Sequence, residues 1–212
     1  MMFTNEQISA YLNSLLDLCP DETDEFYFDL VEKKHPVIRR DVAKFLTQII
    51  MLKQPVKILE IGTNVGYSAI VMAKHLKNGR IYSIDYRADN HEIARKNFIK
   101  FGVDDRIELL TGYGSEILKD LKDKFDLIFI DADKKGYDAY LDYAAEHLNQ
   151  GGIIIADNLY WKGAVITPDQ KEDERNITAS LIEFNKKFTT LKGFNSQVLS
   201  IGDGLGFAIK EK

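Results

Sequence analysis

Short apolar runs alternate with helix-like stretches along the chain from residue 55 onward. Runs of this length that are apolar on both faces are typical of parallel strands buried between two layers of helices. They lie at residues 57–61, 80–84, 107–110, 126–130 and 152–156. Helical stretches are predicted between them, near residues 66–77, 88–101, 114–122 and 136–148. The alternation predicts an α/β, Rossmann-like fold, in which ligands bind at the carboxyl ends of the strands.

The end of the chain departs from this alternation. A helical stretch near residues 172–188 is followed by two strand-like segments, 196–201 and 205–210, which flank the sequence Gly202-Asp203-Gly204. A glycine-rich turn between two strands predicts a β-hairpin, so at least one of these strands should run antiparallel to the others. We therefore expect a seven-stranded, mostly parallel sheet with a C-terminal antiparallel hairpin and helices on both faces.

The first 54 residues show helical periodicity and no strand pattern. They are expected to form a helical N-terminal cap on a Rossmann-like core at residues 55–212. Because a chain of 212 residues suits one domain with a large core, residues 1–212 are interpreted as a single domain.

Composition narrows the classes of function. The net charge of −5 argues against a surface that coats nucleic acid, although a local basic patch is compatible with it. The one cysteine, Cys19, excludes an internal disulfide, and no zinc-site pattern accompanies it. The sequence contains no signal-like segment and no apolar run of membrane-spanning length. We therefore expect a cytoplasmic protein without a membrane partner.

The first predicted strand ends in Glu60-Ile61-Gly62, and Gly66 follows. This G-x-x-x-G spacing differs from the G-x-G-x-x-G of dinucleotide sites, and its glycines let a ligand approach the backbone closely. A carboxylate at Glu60 disfavours a pyrophosphate and favours a cationic ligand. S-adenosylmethionine fits, because it carries a sulfonium and an ammonium and no phosphate. The alternative is a tight strand-to-helix turn with a surface glutamate.

The next two strand tips also carry polar groups. Asp85 ends the second strand, where an acidic residue commonly accepts hydrogen bonds from ribose hydroxyls. Its alternative role is to cap the following helix. At the third tip, Gly114 and Ser115 are candidates for contacts with an adenine, and a simple turn explains them equally well. Taken together, the three tips favour an adenosine-bearing ligand.

Oxygen-bearing side chains follow the fourth and fifth strands. Asp131 ends the fourth strand, and Asp157 and Asn158 end the fifth. Adjacent parallel strands lie about 4.8 Å apart, so these tips can present oxygens to one point. Two carboxylates and a carboxamide suit a hard cation, Mg²⁺ first and Mn²⁺ or Ca²⁺ as alternatives. On sequence alone Asp133 is a competing ligand.

These motifs resemble the metal-dependent, S-adenosylmethionine-using O-methyltransferases of the catechol and caffeoyl-coenzyme A type, a family with a bacterial branch. The resemblance is carried by Glu60-Ile61-Gly62, Gly66-Tyr67-Ser68, Asp85, Asp131-Ala132-Asp133-Lys134, Asp157-Asn158 and Trp161-Lys162-Gly163. It implies the class I methyltransferase version of the Rossmann-like fold and a homodimer. One departure is Asp133, which stands where the animal catechol enzymes carry a bulky aromatic residue. A simple catechol pocket would lack one apolar wall here.

The resemblance also implies roles for individual residues. Asp131, Asp157 and Asn158 would hold the divalent cation, and Lys134 would lie beside the acceptor oxygen as the catalytic residue. The residues implied to hold the cofactor are Glu60, Gly62, Gly66, Ser68, Asp85, Gly114, Ser115 and Asp131.

The acceptor is expected to offer two adjacent oxygens to the cation, as catechols, caffeoyl thioesters and 5-hydroxyuridine do. Some bacterial members of the family methylate 5-hydroxyuridine at the wobble position of tRNA. A basic cluster at residues 33–40, with Arg39 and Arg40, favours this RNA partner or the phosphates of coenzyme A. Its alternative interpretation is a solvated helix end. Trp161 is a candidate to stack on a flat acceptor or to pack in a dimer.

Two other classes of function compete with this hypothesis. A nucleotide-dependent dehydrogenase fits poorly with the G-x-x-x-G spacing and with the metal-like triad. A non-catalytic cofactor-binding or interaction protein would retain the cofactor site without methyl transfer. The sequence does not specify the acceptor, the metal or the preferred hydroxyl.

Overall fold

The computed structural model describes residues 5–167 and 172–211. The chain begins with three helices, α1 (Asn5–Leu16), α2 (Asp24–Glu32) and α3 (Arg40–Lys53). The helical start that the sequence predicts is therefore present. Apolar side chains of α3, such as Leu46 and Ile50, are fully buried and join this segment to the core.

Seven strands form one sheet in the order β3-β2-β1-β4-β5-β7-β6. Strands β1 to β5 run parallel, whereas β7 pairs antiparallel with both β5 and β6. Their bounds are Lys57–Ile61, Arg80–Asp85, Ile107–Thr111, Phe125–Ile130, Leu148–Ala156, Phe194–Leu199 and Leu205–Lys210. The predicted fold class and its terminal hairpin are confirmed. Strand β6 begins and ends two residues earlier than predicted, because the hairpin turn begins at Ser200.

Helices cover both faces of the sheet. They are α4 (Tyr67–His75), α5 (Ala88–Phe101), α6 (Gly114–Asp120), α7 (Tyr137–His147) and α8 (Glu172–Thr189). Side chains alternate between faces along a strand, so Ile58 joins one apolar cluster and Leu59 joins the other. Both side chains are fully buried, which explains why this strand carries apolar residues on both faces. None of the helices within the described ranges is long and apolar enough to cross a membrane.

The register of the sheet brings the tips of three strands together. Ile61 pairs with Ile130, and Ile130 pairs with Ala156. The ladder continues one residue further, because the Asp131 amide donates to the Ile61 carbonyl at 2.9 Å and the Asp157 amide to the Ile130 carbonyl at 3.0 Å. The residues that follow β1, β4 and β5 therefore emerge at the same edge.

Candidate active site

A cavity of about 680 Å³ opens at the carboxyl ends of the parallel strands. It lies where Rossmann-like folds bind their ligands. Most of the candidate site residues singled out in the sequence line it, namely Gly62, Ser68, Asp85, Gly114, Asp131, Lys134, Asp157, Asn158, Arg39 and Trp161. Four of the predicted residues, Glu60, Gly66, Ser115 and Arg40, lie off its wall.

The glycines of the first tip are required by packing within the protein. Gly62 has a φ of +112° and Gly66 a φ of +88°, a backbone conformation that side chains disfavour. A Cβ atom at Gly62 would overlap the carbonyl oxygen of Asp131, and one at Gly66 would overlap the ring of Phe98. Gly62 thus lets the loop close onto the tip of β4, and Gly66 lets α4 begin against α5.

Glu60 is fully buried behind the cavity wall. Its two carboxylate oxygens accept hydrogen bonds from the hydroxyls of Ser68 and Ser83. Burial raises the pKa of Glu60 to about 7, although the two serine hydroxyls favour its ionised form. Ser68 lines the cavity and contacts Glu60, whereas Glu60 itself does not reach the cavity wall.

Asp85 lines the cavity and also orders the loops around it. Its carboxylate accepts hydrogen bonds from the Asn64 amide at 2.7 Å, the Arg87 amide at 2.9 Å and the Asn90 side chain at 3.2 Å. Asp85 therefore holds the β1–α4 loop and the start of α5 together. The backbone-holding role and the ligand role that the sequence left open are compatible in this arrangement.

Aromatic rings surround the tips of β2 and β3. Tyr86 and Tyr113 line the cavity and stack with parallel rings, their centroids 5.2 Å apart. Tyr140 packs against Gly114, where a Cβ atom would lie 3.0 Å from the ring. Sequence reasoning missed all three tyrosines, although Tyr86 and Tyr113 follow directly after predicted strand tips. Ser115 is exposed at the start of α6.

Asp131, Asp157 and Asn158 converge on the ammonium group of Lys134. Lys134 Nζ lies 4.0 Å from Asp131 Oδ1 and 3.2 Å from Asn158 Oδ1, and it donates to the Asp157 carbonyl at 3.4 Å. Burial raises the pKa of Asp131 and of Asp157. The charge of Asp131 raises the pKa of Asp157 further, whereas the Lys134 ammonium opposes the shift of both groups. A buried carboxylate at Asp157 and a partly buried one at Asp131, close enough to affect its pKa, favour a bound cation.

The donor set contains only two carboxylates. Within residues 5–167 and 172–211, no group of three or more His, Cys, Asp or Glu side chains is arranged to hold a metal ion. The third oxygen of the predicted set belongs to the Asn158 carboxamide. The backbone of Asn158 has a positive φ of +61°, which turns the chain at the tip of β5. Oxygen donors with this mixture of charge fit Mg²⁺ rather than Zn²⁺.

Asp133, the competing ligand on sequence alone, has both carboxylate oxygens engaged elsewhere. One accepts from the Gly136 amide at 2.9 Å and the other from the Tyr140 hydroxyl at 2.8 Å. Asp133 thus caps the short 3₁₀ turn before α7 and fixes the Tyr140 ring. The geometry leaves Asp131 as the carboxylate of this segment that faces Asp157 and Asn158.

Lys134 is held by a buried tyrosine that sequence reasoning missed. The Lys134 ammonium donates to the Tyr137 hydroxyl and lies 4.1 Å from the centre of its ring. Tyr137 in turn donates to the Asp157 carbonyl at 2.8 Å. Burial lowers the pKa of Lys134, while the nearby carboxylates oppose that shift. The spacing Lys-x-x-Tyr at the start of a helix is the sequence signal that places the two residues together.

The basic cluster is largely neutralised within the protein. Arg40 forms ion pairs with Asp24 at 2.8 Å and Asp17 at 2.5 Å, and its side chain is 9% exposed. Lys33 pairs with Asp29 at 2.7 Å. Arg39, by contrast, lines the cavity with a side chain 43% exposed, although its Nε lies 3.3 Å from Asp41. Of the two arginines, Arg39 lines the cavity and Arg40 does not.

The topology and the site define a Rossmann-like methyltransferase of class I. Residues 6–211 match the protein family described as O-methyltransferase. The chain belongs to this family.

Relatives and solved structures agree with this assignment. The chain is 32% identical to a catechol O-methyltransferase of Niastella koreensis, over 91% of this chain and 87% of that protein. It is 30% identical to a caffeoyl-CoA O-methyltransferase of Medicago sativa, over 82% of this chain and 76% of that protein. The crystal structure of the O-methyltransferase from Bacillus cereus, in complex with SAH, superposes with a TM-score of 0.82 at 27% identity. The superposition covers 95% of this chain and 97% of the Bacillus cereus chain.

Proposed function

We propose that this chain is a divalent-metal- and S-adenosylmethionine-dependent O-methyltransferase that acts on an acceptor with two adjacent oxygens. The observation that carries the proposal is the convergence of Asp131, Asp157, Asn158 and Lys134 in the cavity that Gly62 and Asp85 also line. One cavity thus contains oxygen ligands for a cation, a buried amine and a carboxylate suited to ribose hydroxyls.

The cavity wall fits the proposed cofactor. The Asp85 carboxylate faces the cavity as an acceptor for ribose hydroxyls, and the exposed rings of Tyr86 and Tyr113 offer flat surfaces for a purine. Residues 58–73, which include most of β1, the loop at Gly62 and the start of α4, contain no lysine, arginine or histidine, which suits a ligand without phosphates. Glu60 behind Ser68 adds a negative charge that favours a cationic ligand.

The oxygens of Asp131, Asp157 and Asn158 would hold the divalent cation. When bound, the cation would lower the pKa of the acceptor hydroxyl and fix the angle of the two acceptor oxygens. The Lys134 ammonium supports this fit, because it lies 4.0 Å from Asp131 Oδ1 and 3.2 Å from Asn158 Oδ1, beside oxygens that favour a positive charge.

Lys134 is the residue of this chain that would take or hold the acceptor proton. Burial lowers its pKa from the ordinary lysine value, which makes it a better base near neutral pH. Tyr137 orients the amine, and its own pKa is raised well above the ordinary value by burial, so the phenol remains a neutral hydrogen-bonding group. Positioning of the acceptor oxygen in line with the methyl group supplies the rest of the rate enhancement.

Chelation of divalent metal with excess EDTA is expected to abolish methyl transfer while the affinity for S-adenosylhomocysteine stays nearly constant. Apart from Asp131, which belongs to both sets, the proposed cofactor and metal residues occupy separate strand tips. Loss of the cation should therefore remove acceptor activation and leave most of the cofactor wall in place. The measurement is methyl transfer from labelled cofactor to a panel of catechols, caffeoyl thioesters and tRNA containing 5-hydroxyuridine, with Mg²⁺ and then with EDTA. Full activity in EDTA would contradict the metal part of the proposal, and binding without methyl transfer to any acceptor would favour a non-catalytic protein.

Two acceptor classes fit the cavity. Catechol-like acceptors are supported by the relatives named above. The wobble 5-hydroxyuridine of tRNA is supported by Arg39 at the cavity wall, where its guanidinium is available to a phosphate. The engagement of Arg40 with two aspartates removes one of the cations on which the RNA hypothesis relied.

Arg39→Ala is expected to weaken binding of tRNA by about threefold to tenfold, as loss of one phosphate contact does, and to reduce the salt dependence of binding. Arg40→Ala should mainly destabilise the fold, because it leaves Asp24 and Asp17 without their partner. Filter binding at several salt concentrations, with thermal melts of each variant, separates the two effects. Unchanged RNA binding in Arg39→Ala would leave the small-molecule acceptor as the better hypothesis.

A homodimer and a cytoplasmic location complete the proposal. Helix α1 presents an exposed apolar face, with Ile8, Tyr11, Leu12 and Leu15 each more than two-fifths exposed. A second copy of the chain would cover such a face.

A further inference from the structure

Glu60 belongs to a connected series of buried hydroxyl groups beneath the cavity. Ser83 donates to the Glu60 carboxylate, and the Ser83 hydroxyl lies 2.6 Å from the Thr63 hydroxyl. Glu60, Ser83 and Thr63 are each at most 1% exposed. Water therefore has no direct access to this carboxyl group in the folded protein.

The series continues through a histidine to the surface. Thr63 Oγ1 lies 3.2 Å from His91 Nε2, and His91 Nδ1 lies 2.8 Å from Thr111 Oγ1. His91 is 3% exposed, whereas Thr111 at the tip of β3 is exposed. Five side chains thus connect a buried carboxyl group to solvent without a break.

The donors and acceptors balance when Glu60 is ionised. Thr111 donates to His91 Nδ1, and His91 Nε2–H donates to Thr63 Oγ1. Thr63 then donates to Ser83, and Ser83 donates to the carboxylate. Ser83 and Thr63 each donate one hydrogen bond and accept one, Thr111 donates one, and His91 is neutral with its proton on Nε2.

When Glu60 is protonated, the donors and acceptors of the series balance equally well with every hydrogen bond reversed. The carboxylic acid then donates to Ser83, Ser83 to Thr63, and Thr63 to His91 Nε2, while His91 Nδ1–H donates to Thr111. Passing from this arrangement to the ionised one moves one proton across each hydrogen bond. The net change is one proton that leaves Glu60 and one that reaches water at Thr111, with no oxidation or reduction.

We propose that Glu60, Ser83, Thr63, His91 and Thr111 form a proton wire, through which binding of the cationic cofactor draws the Glu60 proton out to solvent. The coupling to the cofactor rests on the proposed function, whereas the wire itself does not. Its consequence is that the carboxylate charge behind Ser68 is present when the cationic ligand is bound and is neutralised when the ligand leaves.

The charges around the wire support this coupling. Asp131 at the tip of β4 and Asp85 at the tip of β2 both raise the pKa of Glu60, and a nearby cation would oppose them. Around His91, burial and Arg95 lower the pKa while Asp85 raises it, so His91 is predominantly neutral at neutral pH. A neutral histidine is the species that can pass a proton between its two nitrogens.

The wire predicts that the tautomer of His91 follows the protonation of Glu60. In ¹⁵N NMR of the ligand-free protein, His91 should carry its proton on Nδ1 near pH 5.5 and on Nε2 near pH 8.5. Ser83→Ala, which breaks the series while leaving a folded core of the same shape, should lose this exchange, as should Glu60→Gln. Glu25→Gln, an exposed glutamate on α2, should keep it. One fixed His91 tautomer at both pH values in the wild type would overturn the wire.

The coupling is tested by calorimetry with S-adenosylmethionine at pH 7 in phosphate and in Tris, which differ in ionisation enthalpy. The wild type should release about half a proton per bound cofactor more than Glu60→Gln does, because Glu60 is about half protonated at this pH. Equal proton release in the two proteins would overturn the coupling. Failure of the cofactor to bind either protein would refute the proposed function and leave the NMR result to decide the wire.

Discussion

Replacement of Lys134 by alanine is expected to lower kcat by about 10²-fold to 10⁴-fold, the range typical for loss of a positioned acid–base group. The Lys134 amine lies 3.2 Å from Asn158 Oδ1 and 4.0 Å from Asp131 Oδ1, where the acceptor oxygen is proposed to bind. Asp85 and the Gly62 loop, which are proposed to hold the cofactor, keep their contacts in this variant. The dissociation constant of S-adenosylhomocysteine should therefore change by less than roughly threefold, under 1 kcal/mol.

The control for this variant is Lys135→Ala. Lys135 is adjacent in sequence but exposed, so its removal should leave kcat within about twofold of the wild-type value. Steady-state kinetics with saturating cofactor, together with calorimetric binding of S-adenosylhomocysteine, measure both effects. A Lys134→Ala enzyme with wild-type turnover would show that the acceptor loses its proton to another group.

The fold could be predicted from the sequence because the central strands carry apolar residues on both faces. Residues such as Ile58 and Leu59 are buried on opposite faces, and only a parallel sheet covered by two helical layers buries both. The meeting of Asp131 and Asp157 was predictable for the same reason, since both residues follow strands whose register brings their ends together. Strand ends are local in sequence, and their meeting point follows from the topology.

The contacts of individual polar groups depend on packing that local patterns do not encode. Whether Glu60 faces the cavity or the core is decided by Ser68 and Ser83, which come from a helix and a neighbouring strand. Likewise, the charge of Arg40 is cancelled by Asp24 and Asp17, 16 and 23 residues earlier, through the way the first three helices pack. The number of these charges is evident from the composition, whereas their ion-pair partners are known only from the folded structure.

Gly62→Ala is expected to lower the free energy of unfolding by about 3 kcal/mol or more, which corresponds to a fall in Tm of roughly 6–12 °C for a chain of this size. The added Cβ would overlap the Asp131 carbonyl oxygen, which is backbone and cannot rotate away. Relief of the overlap requires the loop to move away from the tip of β4. The hydrogen bond from the Asp131 amide to the Ile61 carbonyl, 2.9 Å long, would weaken as the loop moves. Because this displacement moves both the cofactor loop and Asp131, affinity for S-adenosylhomocysteine should also fall by more than about tenfold.

The matched control is Gly102→Ala, which separates backbone strain from steric overlap. Gly102 ends α5 with a φ of +64°, and a Cβ atom there would meet nothing within 4 Å. Gly102→Ala should therefore lower the free energy of unfolding only by the strain of an alanine in the left-handed conformation, about 1–2 kcal/mol, and should leave cofactor affinity unchanged. Thermal melts and cofactor calorimetry on the two variants provide the comparison. If Gly62→Ala were no more destabilising than Gly102→Ala, the loop would have room to move, and the close approach of the first strand tip to the fourth would not be what fixes the site.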